Sequence, residues 1–188
     1  MPETSVPARH SPALLPAANG GRTRVTVLGP AARFVLRVAD TQSSPPAICG
    51  GFDLSGPLNT CRTQGERIAA RLGPDEWLLI GPESESIALA DACAADLADR
   101  AISLVDVGHR NVAFTVSGPA ACQVLNAGIA LDLSETAFPA GSATRTLLGK
   151  ADVVLLRTGA AAVYRVECWR SFAPYVHAHL TDVAQEFA

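Results

Sequence analysis

Ile102-Ser-Leu-Val-Asp-Val-Gly-His-Arg-Asn-Val-Ala-Phe-Thr-Val-Ser-Gly-Pro-Ala120 reads as strand, turn, strand and the opening of a helix. The runs Ile102–Val105 and Val112–Val116 predict two strands of one sheet, the second alternating Val112, Phe114 and Val116 against Ala113 and Thr115. Asp106-Val-Gly-His-Arg110 supplies the turn between them. Ser117-Gly-Pro119 then predicts a helix with proline at its first position and Gly128 at its close, with Val124 and Leu125 facing the sheet.

Downstream, strands are predicted at Ala143–Leu148, Val153–Arg157 and Val163–Cys168. In the last, Tyr164, Val166 and Cys168 share one face, and Arg165 and Glu167 the other. A final helix carries Phe172, Tyr175, Val176, His179, Leu180, Val183 and Phe187 as one apolar stripe. Upstream, Phe34, Leu36 and Val38 mark a half-buried strand, and Asp40 to Gly56 is expected to be a loop with one helical turn. Strands at Arg67–Leu72 and Trp77–Ile80 flank Gly73-Pro-Asp-Glu76, whose glycine and proline set turn angles. A helix over 84–99 should bury Ile87, Ala90, Ala94 and Leu97 and turn Asp91, Asp96 and Asp99 outward. The pattern predicts an α+β protein of two small lobes, with antiparallel or mixed sheets covered by helices. Residues 31–100 form the first lobe and 101–188 the second, while the Pro- and Ala-rich residues 1–30 are expected to be an arm, flexible when the chain is alone.

Composition bounds the function. A chain of 188 residues that is 48% hydrophobic and 18% charged can bury about two-thirds of its unfolded surface. No apolar run reaches the roughly 20 residues of a membrane span, so no membrane partner is expected. The formal charge is −3 and the basic residues are scattered, which argues against nucleic acid. Cys49, Cys61, Cys93, Cys122 and Cys168 are odd in number and widely spaced, the pattern of buried thiols in a reducing compartment. With no basic start followed by an apolar segment, the N-terminus does not read as a signal peptide, and a cytoplasmic location is expected.

The familiar catalytic motifs are missing. No two glycines are spaced i, i+2, as a dinucleotide fingerprint requires, and there is no triphosphate loop, nucleophile elbow or H-E-x-x-H. His177 and His179 lie about 200° apart around a helix, so they cannot share a metal as an i, i+4 pair does; one exposed and one half-buried histidine is the expectation. His109 sits in a turn, suited either to acid–base or ligand contact or to a bond with Asp106 or backbone. Asp75 and Glu76 are adjacent acids expected to point apart and stay solvated, and Trp77 and Trp169 are expected in the core.

Five separated stretches resemble one family. Leu72-Gly-Pro-Asp-Glu-Trp-Leu-Leu79, Leu104-Val-Asp-Val-Gly-His-Arg-Asn111, Val116-Ser-Gly-Pro-Ala120, Arg145-Thr-Leu-Leu-Gly-Lys150 and Trp169-Arg-Ser-Phe-Ala-Pro-Tyr175 are similar, in order, to the gamma subunit of heterotetrameric sarcosine oxidase. Gly73, Pro74, Asp75, Glu76, Trp77, Asp106, His109, Arg110, Trp169, Arg170, Ser171 and Phe172 are the motif residues. The resemblance implies an accessory, structural role beside alpha, beta and delta chains in an enzyme that oxidatively demethylates sarcosine to glycine, releases hydrogen peroxide and passes a one-carbon unit to tetrahydrofolate. It implies FAD, FMN, NAD and zinc on those other chains, and no catalytic, cofactor or metal residue on this one. A related N-methyl amine such as dimethylglycine or N-methylglutamate would use the same type of subunit. Residues 106–119 also resemble the glycine-cleavage aminomethyltransferases, which implies a reduced form of their folate-binding fold and, as an alternative, a stand-alone folate-binding transferase. Those enzymes follow a glycine with two adjacent aspartates, of which Gly149-Lys-Ala-Asp152 keeps one; His109 and Asp152 are the candidates for a remaining cofactor contact.

Overall fold

The structure, a computed structural model, describes residues 18–39, 41 and 46–187. The first part of the chain holds β1 (Ala18–Gly20), β2 (Thr23–Val27), β3 (Ala32–Val38), β4 (Ile48–Cys49), β5 (Phe52–Asp53), β6 (Thr60–Gln64), β7 (Arg67–Arg71) and β8 (Glu76–Gly81). Then come α1 (Ser86–Asp96), β9 (Ile102–Asp106), β10 (Asn111–Ser117) and α2 (Ala121–Asn126). The chain closes with β11 (Ser142–Leu148), β12 (Ala151–Arg157), β13 (Val163–Trp169) and α3 (Ala173–Gln185).

Eleven strands form one antiparallel sheet in the order β1-β2-β10-β13-β12-β11-β6-β7-β8-β3-β9, and β4 with β5 makes a separate small hairpin. The sheet curls at the β11–β6 step, where the ladder is reduced to Ser142 opposite Thr60. Two bonds, Cys61 N–H to Gly141 O at 2.7 Å and Ala143 N–H to Asn59 O at 3.0 Å, secure the corner. The two halves thereby face one another, with helices outside.

Side-chain alternation explains the layers. In β8, Trp77 and Leu79 point to one face and pack with Phe34, Leu36, Leu89, Cys93 and Leu97 beneath α1. Leu78 and Ile80 point to the other and meet Ala143 and Leu156 of the opposing half. A third cluster lies under α2 and α3, where Phe114, Leu155 and Val166 meet Val124, Leu125, Val176 and Leu180. Strands covered on both faces carry continuous apolar runs, which is why β8 is buried from Trp77 to Gly81. Among the described residues no helix is long and apolar enough to cross a membrane.

Several expectations need correction. Residues 18–27, read as part of the arm, are two strands joined by a turn: Val25 is fully buried and β2 pairs with β10. Gly118, at φ 115°, allows this docking, because a side chain there would run into the Arg22 carbonyl oxygen. Residues 1–17 lie outside the described residues. The Asp40 to Gly56 segment contains the β4–β5 hairpin rather than a helical turn, with residues 40 and 42–45 outside the described ones. The division near Arg100 does not follow the pairing: β9 joins β3 at the edge of the first half, and β1 and β2 extend the second. Strand β6, absent from the sequence reading, is polar and buries only Cys61. Helix α1 turns Leu89 and Cys93 inward and leaves Ile87 81% exposed, since its many alanines do not define a face. Pro119 precedes α2 by two residues instead of opening it.

Candidate functional site

Two of the family-like stretches, 72–79 and 145–150, meet across the half-sheets. Glu76, at the start of β8, accepts a hydrogen bond from Arg37 at 3.0 Å and forms an ion pair with Arg145 of β11. It is therefore not a solvated turn acid but a tie between the halves. Asp75 lies nearer solvent, 4.0 Å from Arg37. The His109 turn docks on the other end of β13: Arg170 Nε donates to His109 O at 2.9 Å, and Arg170 N–H donates to Arg110 O at 2.7 Å. Asp106 caps the same turn by accepting the Gly108 N–H at 2.7 Å. Thus His109 contributes its carbonyl to the junction while its side chain stays exposed.

A second tie is fully buried. Glu167 of β13 accepts Arg33 Nε at 2.7 Å on one oxygen and Arg165 Nε at 2.8 Å on the other. Arg33 and Glu167 are 1% exposed, so β3 is joined to β13 by a desolvated ion pair. The sequence reading placed Arg165 and Glu167 together on the polar face of the strand. They do share it, but that face packs against the opposing half.

Between the halves lies a cleft of about 820 Å³, within the usual range for ligand pockets. Val35, Leu78 and Val154 are among its apolar lining, and Arg110, Asp152 and Trp169 among its polar and aromatic lining. Of the two candidates, Asp152 lines this cleft and His109 does not. Trp169, expected in the core, is 45% exposed, with Phe172 at 6.2 Å and the Arg110 guanidinium 5.7 Å from its ring. Beside it, the Tyr175 hydroxyl accepts the Lys150 N–H at 3.1 Å. This contact requires Gly149, at φ 58°, because a side chain there would collide with that hydroxyl. Ser171 is exposed beside the cleft-lining Trp169, whereas Trp77 is fully buried, as expected. His177 is 8% exposed and half-buried His179 stacks with Tyr175, so neither is the exposed histidine expected. Among the described residues no group of three or more His, Cys, Asp or Glu could hold a metal ion.

Burial pushes the Cys61 thiol up to about 11 and the Cys168 thiol up to about 12, the latter helped by Glu167. Both lie above the ordinary value of 9.0, so the neutral thiols stabilise the fold fully below pH 9 and lose that contribution as pH rises through 11 to 12. Thermal unfolding midpoints should be level with respect to these thiols up to pH 9 and fall above it. Replacing both cysteines by alanine should flatten part of the fall, and an unchanged slope would contradict the assignment.

The ties and the cleft define an α+β domain of two half-sheets joined by the Glu76–Arg145 and Arg33–Glu167 ion pairs. The chain belongs to the sarcosine oxidase gamma subunit family, whose model matches residues 46–186. It is 37% identical over 117 residues to the sarcosine oxidase subunit gamma of Corynebacterium sp. (strain P-1), covering 62% of this chain and 56% of that protein. With the sarcosine oxidase subunit gamma of Arthrobacter sp. it shares 36% identity over 118 residues, again 62% and 56% of the two chains. The chain thus aligns to only about half the length of these curated relatives. A chain of the heterotetrameric sarcosine oxidase from Corynebacterium sp. U-96, solved in complex with pyrrole 2-carboxylate, superposes with a TM-score of 0.80 at 25% identity, covering 93% of this chain and 90% of that one. The glycine cleavage system aminomethyltransferase T from Bartonella henselae shares the fold, with a TM-score of 0.63 at 11% identity over 85% of this chain and 45% of that one.

Proposed function

We propose that the chain is the accessory gamma subunit of a heterotetrameric oxidase that demethylates sarcosine to glycine, releases hydrogen peroxide and hands the one-carbon unit to tetrahydrofolate. The observation that carries this reading is the superposition of 93% of the chain on a chain of such a heterotetramer. Alpha, beta and delta chains would be its partners, and would hold the FAD, FMN, NAD and zinc. Dimethylglycine or N-methylglutamate would replace sarcosine only through changes in those chains. The test is turnover of sarcosine by the purified chain, alone and with its flavoprotein partners. Activity is expected only in the assembly; oxidation of sarcosine by the isolated chain would overturn the reading.

The exposed apolar residues beside the cleft, Trp169, Leu147 and Tyr175, are the proposed contact surface. Interface tryptophans often account for 2 kcal/mol or more of binding, so Trp169→Ala is expected to weaken association with the partner chains by roughly thirtyfold or more while the folded content stays unchanged. Unaltered affinity by surface plasmon resonance would remove this surface from the proposal.

The cleft also supports a second reading, a folate-binding transferase acting alone. Its volume suits a ligand and Asp152 stands on its wall, whereas Glu76 and Glu167 are engaged by arginines. Titration with tetrahydrofolate decides this: heat of binding abolished by Asp152→Asn favours it, and none at millimolar ligand removes it.

A further inference from the structure

Cys49 of β4 and Cys93, on the buried face of α1, lie 44 residues apart in sequence and are both fully buried. The Cys49 thiol is directed at the Cys93 carbonyl oxygen, 3.8 Å away. A side-chain carbon placed on Gly50 would come within 2.6 Å of the Cys93 sulfur. Each sulfur therefore lies against the backbone of the other's segment. The hairpin is held there by the Gly50 N–H, which donates to Asp96 Oδ2 at 2.8 Å.

We propose that Cys49 and Cys93 are a redox-active pair that a hydroperoxide converts into a disulfide, clamping the β4–β5 hairpin onto α1. A hydrogen bond between the two thiols raises the pKa of Cys49 and lowers that of Cys93; burial and Asp96 oppose the second shift and Arg67 supports it, and the net lowering makes Cys93 the attacking sulfur. The Cys93 thiolate attacks the terminal oxygen of the peroxide, and an S–O bond forms as the O–O bond breaks. The sulfur becomes a sulfenic acid, and the other oxygen leaves with the bonding electron pair, taking up the proton that Cys93 had released, as water or alcohol. The Cys49 sulfur then attacks the sulfenic sulfur, the S–S bond forms, and the hydroxyl departs as water with the Cys49 proton. Each sulfur gives up one electron and the peroxide takes both. Because both thiols are buried, the hairpin must open for the peroxide to enter, and the new bond then keeps it closed. This inference concerns the chain itself and does not rest on the proposed oxidase role.

The test uses the full chain, treated with hydrogen peroxide and, separately, with diamide, and followed by intact mass and non-reducing peptide mapping. The expected result is loss of two hydrogens, a cross-linked peptide joining Cys49 to Cys93, and a raised unfolding midpoint that dithiothreitol reverses. Cys49→Ser and Cys93→Ser should each abolish the link, and Cys122→Ser, at the half-exposed thiol, should retain it. Three results would overturn the proposal: no two-hydrogen loss with either reagent, oxygen added at Cys93 with Cys49 still free, or a link through other cysteines. Mapping of the unsubstituted chain decides the matter even where a serine variant fails to fold.

Discussion

Glu167→Ala is expected to destabilise the fold by about 3–5 kcal/mol, the usual cost of removing one partner from a buried ion pair. The carboxylate takes Arg33 on one oxygen and Arg165 on the other, and Arg33 has no route to water at 1% exposure. Without Glu167, Arg33 keeps, among the described residues, the Ala31 carbonyl, 3.2 Å from one guanidinium nitrogen, while a second nitrogen is already buried with no hydrogen-bond partner among them. For a chain of this size the unfolding midpoint should fall by roughly 10 °C. The instructive control removes all three charges. Arg33→Met, Glu167→Leu and Arg165→Leu together should fall well short of the single-variant cost, because desolvated charges disappear along with their attraction. A triple variant as damaged as Glu167→Ala would show that packing at this junction, and not its charge balance, matters most.

Trp77→Ala should cost a similar 3–5 kcal/mol, by a different mechanism. The indole is fully buried under α1 among Phe34, Leu36 and Leu79, and the Arg71 guanidinium lies 5.0 Å from its ring. Truncation leaves a cavity that paired strands cannot close. Trp77→Phe should cost much less, since it retains most of the volume and removes an indole N–H that has no hydrogen-bond partner among the described residues. Equilibrium denaturation of both variants checks this; equal losses would mean that the indole donor is satisfied in solution.

Strong local patterns in the sequence foretold much of this fold. Alternation in Val112–Val116 and Val163–Cys168 and the proline and glycine around 73–76 gave the strands and the hairpin. What escaped was set by distant partners. Thr23–Val27 alternates correctly, but the proline-rich composition before it obscured that signal, and its pairing partner lies far along the chain in β10. Glu76 and Glu167 look like ordinary polar positions because Arg145 and Arg33 reach them only after the sheet curls. Trp169 could not be placed by chemistry alone, since an indole suits a core as well as an interface. The motif residues were identifiable together, whereas their contacts became visible only when Glu76 met Arg145 across the halves, Arg170 met the His109 carbonyl and Tyr175 met Lys150.

The central claim, that this chain serves an assembly, is tested most directly by native mass spectrometry of the chain co-expressed with alpha-, beta- and delta-type oxidase chains. One copy of it is predicted in a four-chain complex, with assembly and sarcosine turnover lost when its gene is omitted. A fully active three-chain oxidase that forms without it, leaving this chain as a free monomer, would contradict the account.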